Sequence, residues 1–300
     1  MTEQLPTAVL GRTGLRVTRL GFGTAIHGAR RPPFTRRDAG PLFNAVLDTG
    51  INFIDTAYDY VDSEDLIGDL LGHRHSEFYL ATKCGCTKSE GIRDNSDHIW
   101  TRENLFQTLE ASLRRIKREV IDVIQLHNPT VEECEAGRLV DALQEMREQG
   151  KVRWIGVSTT LPHLPTYLDW GVFDVFQIPY SALERIHENW ITKAAEAGIG
   201  IVIRGGVAQG EPGVGLGETG RWHRFEQAGL DELLEEGQSR SAFVLRFTLT
   251  HPHAHTVIVG SRSIEHMREN VRTALKGPLP ADVYAEAKRR LDAAGERAGE

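Results

Sequence analysis

The sequence predicts an α/β fold: a (β/α)8 TIM barrel with an N-terminal β-hairpin, residues 1–300 forming one domain. Three observations carry this. Eight short runs rich in Val and Ile recur, at residues 19–24, 51–56, 78–83, 122–127, 152–158, 172–179, 199–204 and 255–260. The stretches between them have helical spacing. Leu105, Leu109, Leu113 and Ile116 share one helical face, and so do Leu139, Leu143 and Met146. Strands alternating with helices imply parallel βαβ units, and eight such units in about 250 residues close into a barrel. An open doubly wound sheet would carry a Gly-rich dinucleotide loop after its first strand. Here residues 21–28 read GFGTAIHG, and Gly21, Gly23 and Gly28 do not fit G-x-G-x-x-G because position 26 is Ile26.

The remaining elements follow in order. Residues 8–20 read as two β runs around Arg12, Thr13 and Gly14, a hairpin. Thr35 with Asp38 three residues later is a helix-start pattern. Residues 205–237 hold Gly and Pro without a clear period, which predicts an irregular loop above the barrel. Residues 239–249 and 280–294 read as helices; the latter is polar and lacks an apolar flap, which implies an open substrate pocket.

Bulk properties narrow the function. The hydrophobic fraction of 40% and charged fraction of 26% are those of a globular protein. A formal net charge of −7 argues against a nucleic-acid-binding surface. No apolar run approaches the roughly 18 residues needed to cross a bilayer, and the N-terminus has no basic-then-apolar pattern. Three cysteines, Cys84, Cys86 and Cys134, are too few for a disulfide framework and fit a reducing compartment. Cys84 and Cys86 lack the second pair of a zinc signature, so they read as ordinary core or loop thiols and no metal is expected. A cytoplasmic location is expected. The basic residues 27–31 read as a solvated loop.

In such a barrel the active site lies at the C-terminal ends of the strands. The second run ends on Asp55, with Tyr58 and Tyr60 just beyond; the third ends on Lys83 and the fourth on His127. Neighbouring strands lie about 4.8 Å apart, so these residues converge on one rim. An ammonium beside a phenol favours its ionised form. Lys83 can supply that ammonium, Asp55 can hold it in place, and His127 can donate a hydrogen bond to a carbonyl oxygen.

These residues resemble the aldo-keto reductase family. Its D-T-A-x-x-Y pattern is matched by Asp55, Thr56, Ala57 and Tyr60, and its A-T-K strand end by Ala81, Thr82 and Lys83. SLRRIKREVIDVIQLH at 112–127 is similar to the family's approach to its active-site His, and GKVRWIGVS at 150–158 to its fifth strand. The resemblance runs from Leu10 to about Asn270. It implies that Asp55, Tyr60, Lys83 and His127 form a catalytic tetrad with Tyr60 as proton donor, and that the cofactor is NADP(H). It assigns Ser158, Thr159 and Gln177 to the nicotinamide end, with Thr159 standing where the family has Asn. Gly23, Thr24, Arg204 and Gly205 fall to the cofactor wall. Gly260, Ser261, Arg262, His266, Glu269 and Asn270 fall to the adenosine-phosphate end, where Ser263 can cap a helix and helix N-termini attract phosphate.

Two departures stand out. Val61 follows Tyr60 where the family often has Gly. After the seventh strand, Arg204 replaces a common aromatic residue. The Arg204 guanidinium can stack on the nicotinamide, or turn aside to pair with a carboxylate such as Glu211. The implied activity is NADPH-dependent reduction of a small-molecule aldehyde or ketone. A dinucleotide-binding, redox-sensing subunit with little turnover is the second reading. A metal-dependent hydrolase built on Asp55 and His127 lacks a His-x-His motif and a ligand set. Substrate identity and oligomeric state are not legible.

Overall fold

The structure is a computed structural model that describes residues 4–26, 34–87 and 98–299; the basic residues 27–31 lie outside them. Strands β1 (Thr7–Val9) and β2 (Arg16–Thr18) pair antiparallel as the predicted hairpin. Eight parallel strands follow: β3 (Leu20–Gly23), β4 (Phe53–Asp55), β5 (Tyr79–Cys84), β6 (Ile121–His127), β7 (Val152–Ser158), β8 (Val175–Pro179), β9 (Gly200–Arg204) and β10 (Thr256–Val259). They close in the order β10-β3-β4-β5-β6-β7-β8-β9. Each lies within a predicted run or within one residue of it.

Side chains along a strand alternate between faces, and the barrel sorts them into two cores. Outward residues such as Ile54, Leu80, Ile124, Leu126, Ile155, Val157, Phe176, Ile178, Ile201 and Ile203 pack against the helices. Inward residues Phe53, Ala81, Val123, Val175 and Val202 form a separate interior cluster. Stepping two residues further along each of these strands reaches Asp55, Lys83, Gln125, Gln177 and Arg204. The polar layer at the top of the barrel is therefore the next inward layer above a hydrocarbon one. Leu10 and Val17 of the hairpin join the interior cluster, so the hairpin seals the lower end.

The surrounding helices are α1 (Arg36–Asp48), α2 (Ser63–Leu71), α3 (Arg102–Ile116), α4 (Val131–Ala136), α5 (Leu139–Glu148), α6 (Leu164–Trp170), α7 (Glu188–Glu196), α8 (Thr219–Gln227), α9 (Arg240–Thr250), α10 (Ile264–Leu275) and α11 (Ala281–Ala293). Thr35 and Asp38 form a reciprocal capping box at the start of α1. The apolar faces read for α3 and α5 are buried as predicted.

The expectation of an irregular loop over 205–237 is corrected. Residues 219–227 form α8, and a short 3-10 turn follows at Leu230–Leu233. The helix is hard to read because it has no side-chain N-cap and buries only Trp222 and Phe225. Those two hold it down: the Trp222 indole donates to the Ala208 carbonyl at 3.1 Å, and Phe225 meets Phe243 edge-on at 5.9 Å.

The C-terminal end is fastened by Arg185, which is only 1% exposed. Its guanidinium donates to Glu188 (2.7 Å), to Asp292 (2.8 Å) and to the Glu296 carbonyl (3.1 Å), while its backbone N–H donates to the Glu296 carboxylate (2.6 Å). Removing one partner of a buried charge cluster strands the others, at a cost of about 3–5 kcal/mol. Arg185→Met is expected to lose that much in urea denaturation. Arg289→Ala, at an exposed pair with Glu286, leaves the urea midpoint unchanged.

Candidate active site

The top layer is organised by the Asp55 carboxylate. Lys83 Nζ donates to its Oδ2 at 2.6 Å, and the Gln125 and Gln177 amides donate to its Oδ1 at 3.1 and 2.7 Å. Lys83 also donates to the Thr56 carbonyl at 2.8 Å. Both members of the ion pair are buried. Burial by itself pushes the Lys83 ammonium toward neutrality, but Asp55 and then Tyr60 outweigh it and hold its pKa above the ordinary value. The pair lies between neighbouring strands, with Asp55 opposite Ala81 and Lys83 opposite Gln125.

Tyr60 and Tyr58 occupy different places. The Lys83 ammonium lies 5.1 Å from the Tyr60 ring centroid, and the His127 ring meets Tyr60 edge-on at 6.0 Å. Tyr58 instead stacks against the Arg115 guanidinium at 4.3 Å. Arg115 also donates to the Tyr58 carbonyl and to the buried Glu64 carboxylate, which accepts from Thr82 at 2.7 Å. This outer network holds the segment that carries Tyr60 onto the barrel mouth. Val61 completes the turn with φ of 50°, a left-handed conformation that is an outlier for a β-branched residue.

His127 Nδ1 lies 2.9 Å from Cys86 Sγ and 3.4 Å from Asp59 Oδ1. Burial lowers the pKa of the imidazole more than Asp59 raises it, so the ring is neutral at physiological pH. Burial likewise pushes the Cys86 thiol upward, and Asp59 adds to that, so it is protonated.

The residues expected along a cofactor wall follow the mouth around the ring. Ser158 donates to the Asn128 side chain at 2.8 Å, and Thr159 is tied by its N–H to the Gln177 carbonyl. Asn128 adopts φ of 61° directly after His127. The Thr24 N–H and hydroxyl both donate to the Asp55 carbonyl. Gly23 and Gly260 end adjacent strands, and a Cβ on Gly260 would lie 2.8 Å from the Gly23 carbonyl oxygen. The Ile258 and Ile26 side chains flank this close backbone contact. Gly205 turns the chain with φ of 72°. Arg204 Nε is buried without a hydrogen-bond partner among the described residues. The Glu211 alternative is not realised, because that carboxylate pairs with Arg240.

At α10, Ser263 accepts from the His266 N–H as the N-cap, and Ser261 accepts from the Ser263 N–H at 3.0 Å. Arg262 donates from Nε to the Ile26 carbonyl at 2.7 Å and lies over Phe34 at 5.3 Å. Glu269 accepts from Ser239 at 2.8 Å, His266 is exposed and Asn270 half-buried. The sequence reading missed Gln125, Asn128, Asp59 and Cys86 in this neighbourhood. Gln125 carried a usable signal, two residues before His127 on the same strand face.

A family model described as Aldo/keto reductase family matches residues 19–291. The chain is 27% identical over 283 residues to the oxidoreductase YqkF of Bacillus subtilis, covering 88% of this chain and 90% of that one. It is also 27% identical over 308 residues to the NADH-specific methylglyoxal reductase of Escherichia coli, with coverage of 87% and 91%. The holo form of the aldo-keto reductase AKR11C1 from Bacillus halodurans superposes with a TM-score of 0.84 at 27% identity, covering 96% of each chain.

The ion pair generates a stability prediction. Asp55→Ala strands a buried ammonium and is expected to cost about 3–5 kcal/mol. Exchanging both partners, Asp55→Leu with Lys83→Met, recovers part of that loss in the same urea titration. A double variant less stable than Asp55→Ala would show that the pair is not the dominant contact.

Proposed function

The chain belongs to the aldo/keto reductase family, and on that premise we propose that it reduces an aldehyde or ketone to the alcohol with NADPH, Tyr60 acting as proton donor. The carrying observation is the convergence on one mouth of Asp55, Lys83 and His127 from consecutive strands and Tyr60 from the turn after the first, with the Lys83 ammonium facing the Tyr60 ring. In this reading Tyr60 gives its hydroxyl proton to the carbonyl oxygen as negative charge develops there. Lys83, kept charged by Asp55, favours departure of that proton. His127 is neutral, so a ring N–H can donate to the same oxygen and orient it. A nicotinamide dinucleotide held at this mouth would supply the hydride.

The residues present fit such a dinucleotide. The buried Arg204 Nε has no hydrogen-bond partner among the described residues, a donor that a ligand at the mouth would satisfy. Ser158, Asn128 and Gln177 would hold the amide end, with Asn128 standing in for the side chain that Thr159 lacks. Arg204 would hold the same end through its buried, unpartnered Nε. Gly260, Ser261, Arg262, His266, Glu269 and Asn270 would receive the adenosine-phosphate end at the start of α10. The Ile26 and Phe34 contacts pin Arg262 beside that helix terminus.

Tyr60→Phe keeps the ring and removes the proton. We expect steady NADPH oxidation with a generic aldehyde to fall at least about 10²-fold, with dinucleotide affinity nearly unchanged. Tyr58→Phe should be mild, and a dead Tyr58→Phe variant would reassign the donor.

The choice of NADPH rests on Arg262 and Ser261. Charge-assisted hydrogen bonds to a phosphate contribute about 1.5–3 kcal/mol, so NADPH should bind roughly 10–150-fold tighter than NADH. Arg262→Ala should erase most of that margin and leave NADH affinity alone. Equal titration curves for the two cofactors would instead align this chain with its NADH-specific relative.

A further inference from the structure

Beside Tyr60 the chain gathers a second set of chemically distinctive groups. Cys86 Sγ and ring nitrogens of His98 and His127 all lie within 4.8 Å of one another. The set is built, not incidental. Cys86 and His98 face each other across an isolated antiparallel bridge, secured by the Ile99 N–H donating to the Gly85 carbonyl at 2.9 Å. The His98 ring stacks on Trp100 at 5.1 Å and 13°, and meets His127 edge-on at 5.7 Å. Trp100 in turn packs where a side chain on Gly85 would sit, since a Cβ there would lie 1.9 Å from the indole. Cys86 is buried, His127 half-buried and His98 exposed, so one side of the set opens to solvent.

We propose that Cys86, His98 and His127 form a site for Zn²⁺, and that the bound ion inhibits carbonyl reduction. One thiolate and two imidazoles select borderline and soft transition ions over Mg²⁺ or Ca²⁺. Zinc bonds of about 2.3 Å to sulfur and about 2.0–2.1 Å to nitrogen place tetrahedral ligands roughly 3.3–3.6 Å apart. The Cys86 Sγ to His127 Nδ1 distance of 2.9 Å therefore has to open by roughly 0.6 Å, while ligand atoms as far apart as the 4.8 Å limit close by about 1.2 Å, movements within reach of side-chain rotation at the exposed His98. The thiol proton leaves to solvent as the ion binds. The Asp59 carboxylate, 3.4 Å from His127 Nδ1, adds a second negative charge to match a divalent ion. Three protein ligands leave the fourth position open. A carbonyl oxygen drawn to that position is held away from the Tyr60 hydroxyl.

A nucleophilic thiol in a Cys–His–Asp relay does not fit this geometry. A relay needs the thiol and carboxylate on opposite ring nitrogens, and here both approach Nδ1.

The inhibition half of the proposal rests on the reductase reading; the binding half does not. The experiment therefore has two arms, on the full chain with thiols kept reduced by a phosphine. In the first, Co²⁺ is titrated and the thiolate-to-cobalt absorption in the near ultraviolet is recorded. The band is expected with the unmodified protein and lost in Cys86→Ser, while His98→Ala weakens Co²⁺ affinity at least about tenfold. In the second, Zn²⁺ is expected to slow aldehyde reduction at least tenfold, reversibly with a chelator. His98→Ala should match the unmodified enzyme without zinc and be at least tenfold less sensitive to it. No cobalt band, a band that survives Cys86→Ser, turnover that zinc leaves unchanged, or equal zinc sensitivity in His98→Ala would overturn the proposal. A chain that shows the band but reduces no carbonyl under any condition counts against the reductase reading and leaves the metal site standing.

Discussion

The Asp55 carboxylate accepts hydrogen bonds from side chains on three other strands, and the top of the barrel is arranged around it. Lys83 reaches it from the adjacent β5, Gln125 from β6 and Gln177 from β8. A lone charge there would be prohibitively costly, sitting one layer above Phe53, Ala81, Val123 and Val175. The ammonium and two amides make it tolerable. In return the carboxylate keeps the ammonium charged and directed toward the Tyr60 ring. The ion pair thus converts a hydrocarbon-filled barrel into one with a fixed positive charge at its mouth.

Strand parity decides which side chains can join this layer. Asp55, Lys83, Gln125, Gln177 and Arg204 are each two residues beyond a member of the interior apolar cluster. A one-residue slip in any strand would bury its polar residue among the helices instead. Residues that are not on strands reach the mouth by other means. Tyr60 is carried by a turn whose outer side is fastened through Tyr58, Arg115 and Glu64. Its last residue, Val61, is held in a conformation that β-branched side chains avoid. Such a residue persists where the surroundings over-determine it, and the buried network behind Tyr58 is that surrounding.

The sequence is legible where its signals are local and periodic. Eight Val/Ile-rich runs, the hairpin around Gly14, the Thr35 capping box and the strand-end positions of Asp55, Lys83 and His127 all lie in short windows. What was missed depends on partners distant in the chain. Helix α8 is mostly polar and held by Trp222 reaching back to Ala208 and Phe225 to Phe243. Whether Arg204 pairs with a carboxylate such as Glu211 depends on the folded chain, where Glu211 pairs with Arg240. Cys86, His98 and His127 show no short ligand spacing, because a bridge and a neighbouring strand bring them together. Gln125 is the exception, since the two-residue period that located His127 already put it on the same face.

The hairpin that plugs the lower end makes the barrel a blind well. Leu10 and Val17 occupy the floor beneath Phe53, Val123 and Val202, so apolar side chains lie between the Asp55–Lys83 pair and the lower end. Solvent, protons and small ions at the mouth then meet whatever lies across it. Exchange of the Lys83 ammonium and the Gln125 and Gln177 amide hydrogens becomes a gauge of that entrance. It should run at a rate set by how often the mouth is uncovered, with little sensitivity to the barrel's own breathing. A molecule that merely touches the rim and one that seals it would leave different exchange patterns at these buried groups.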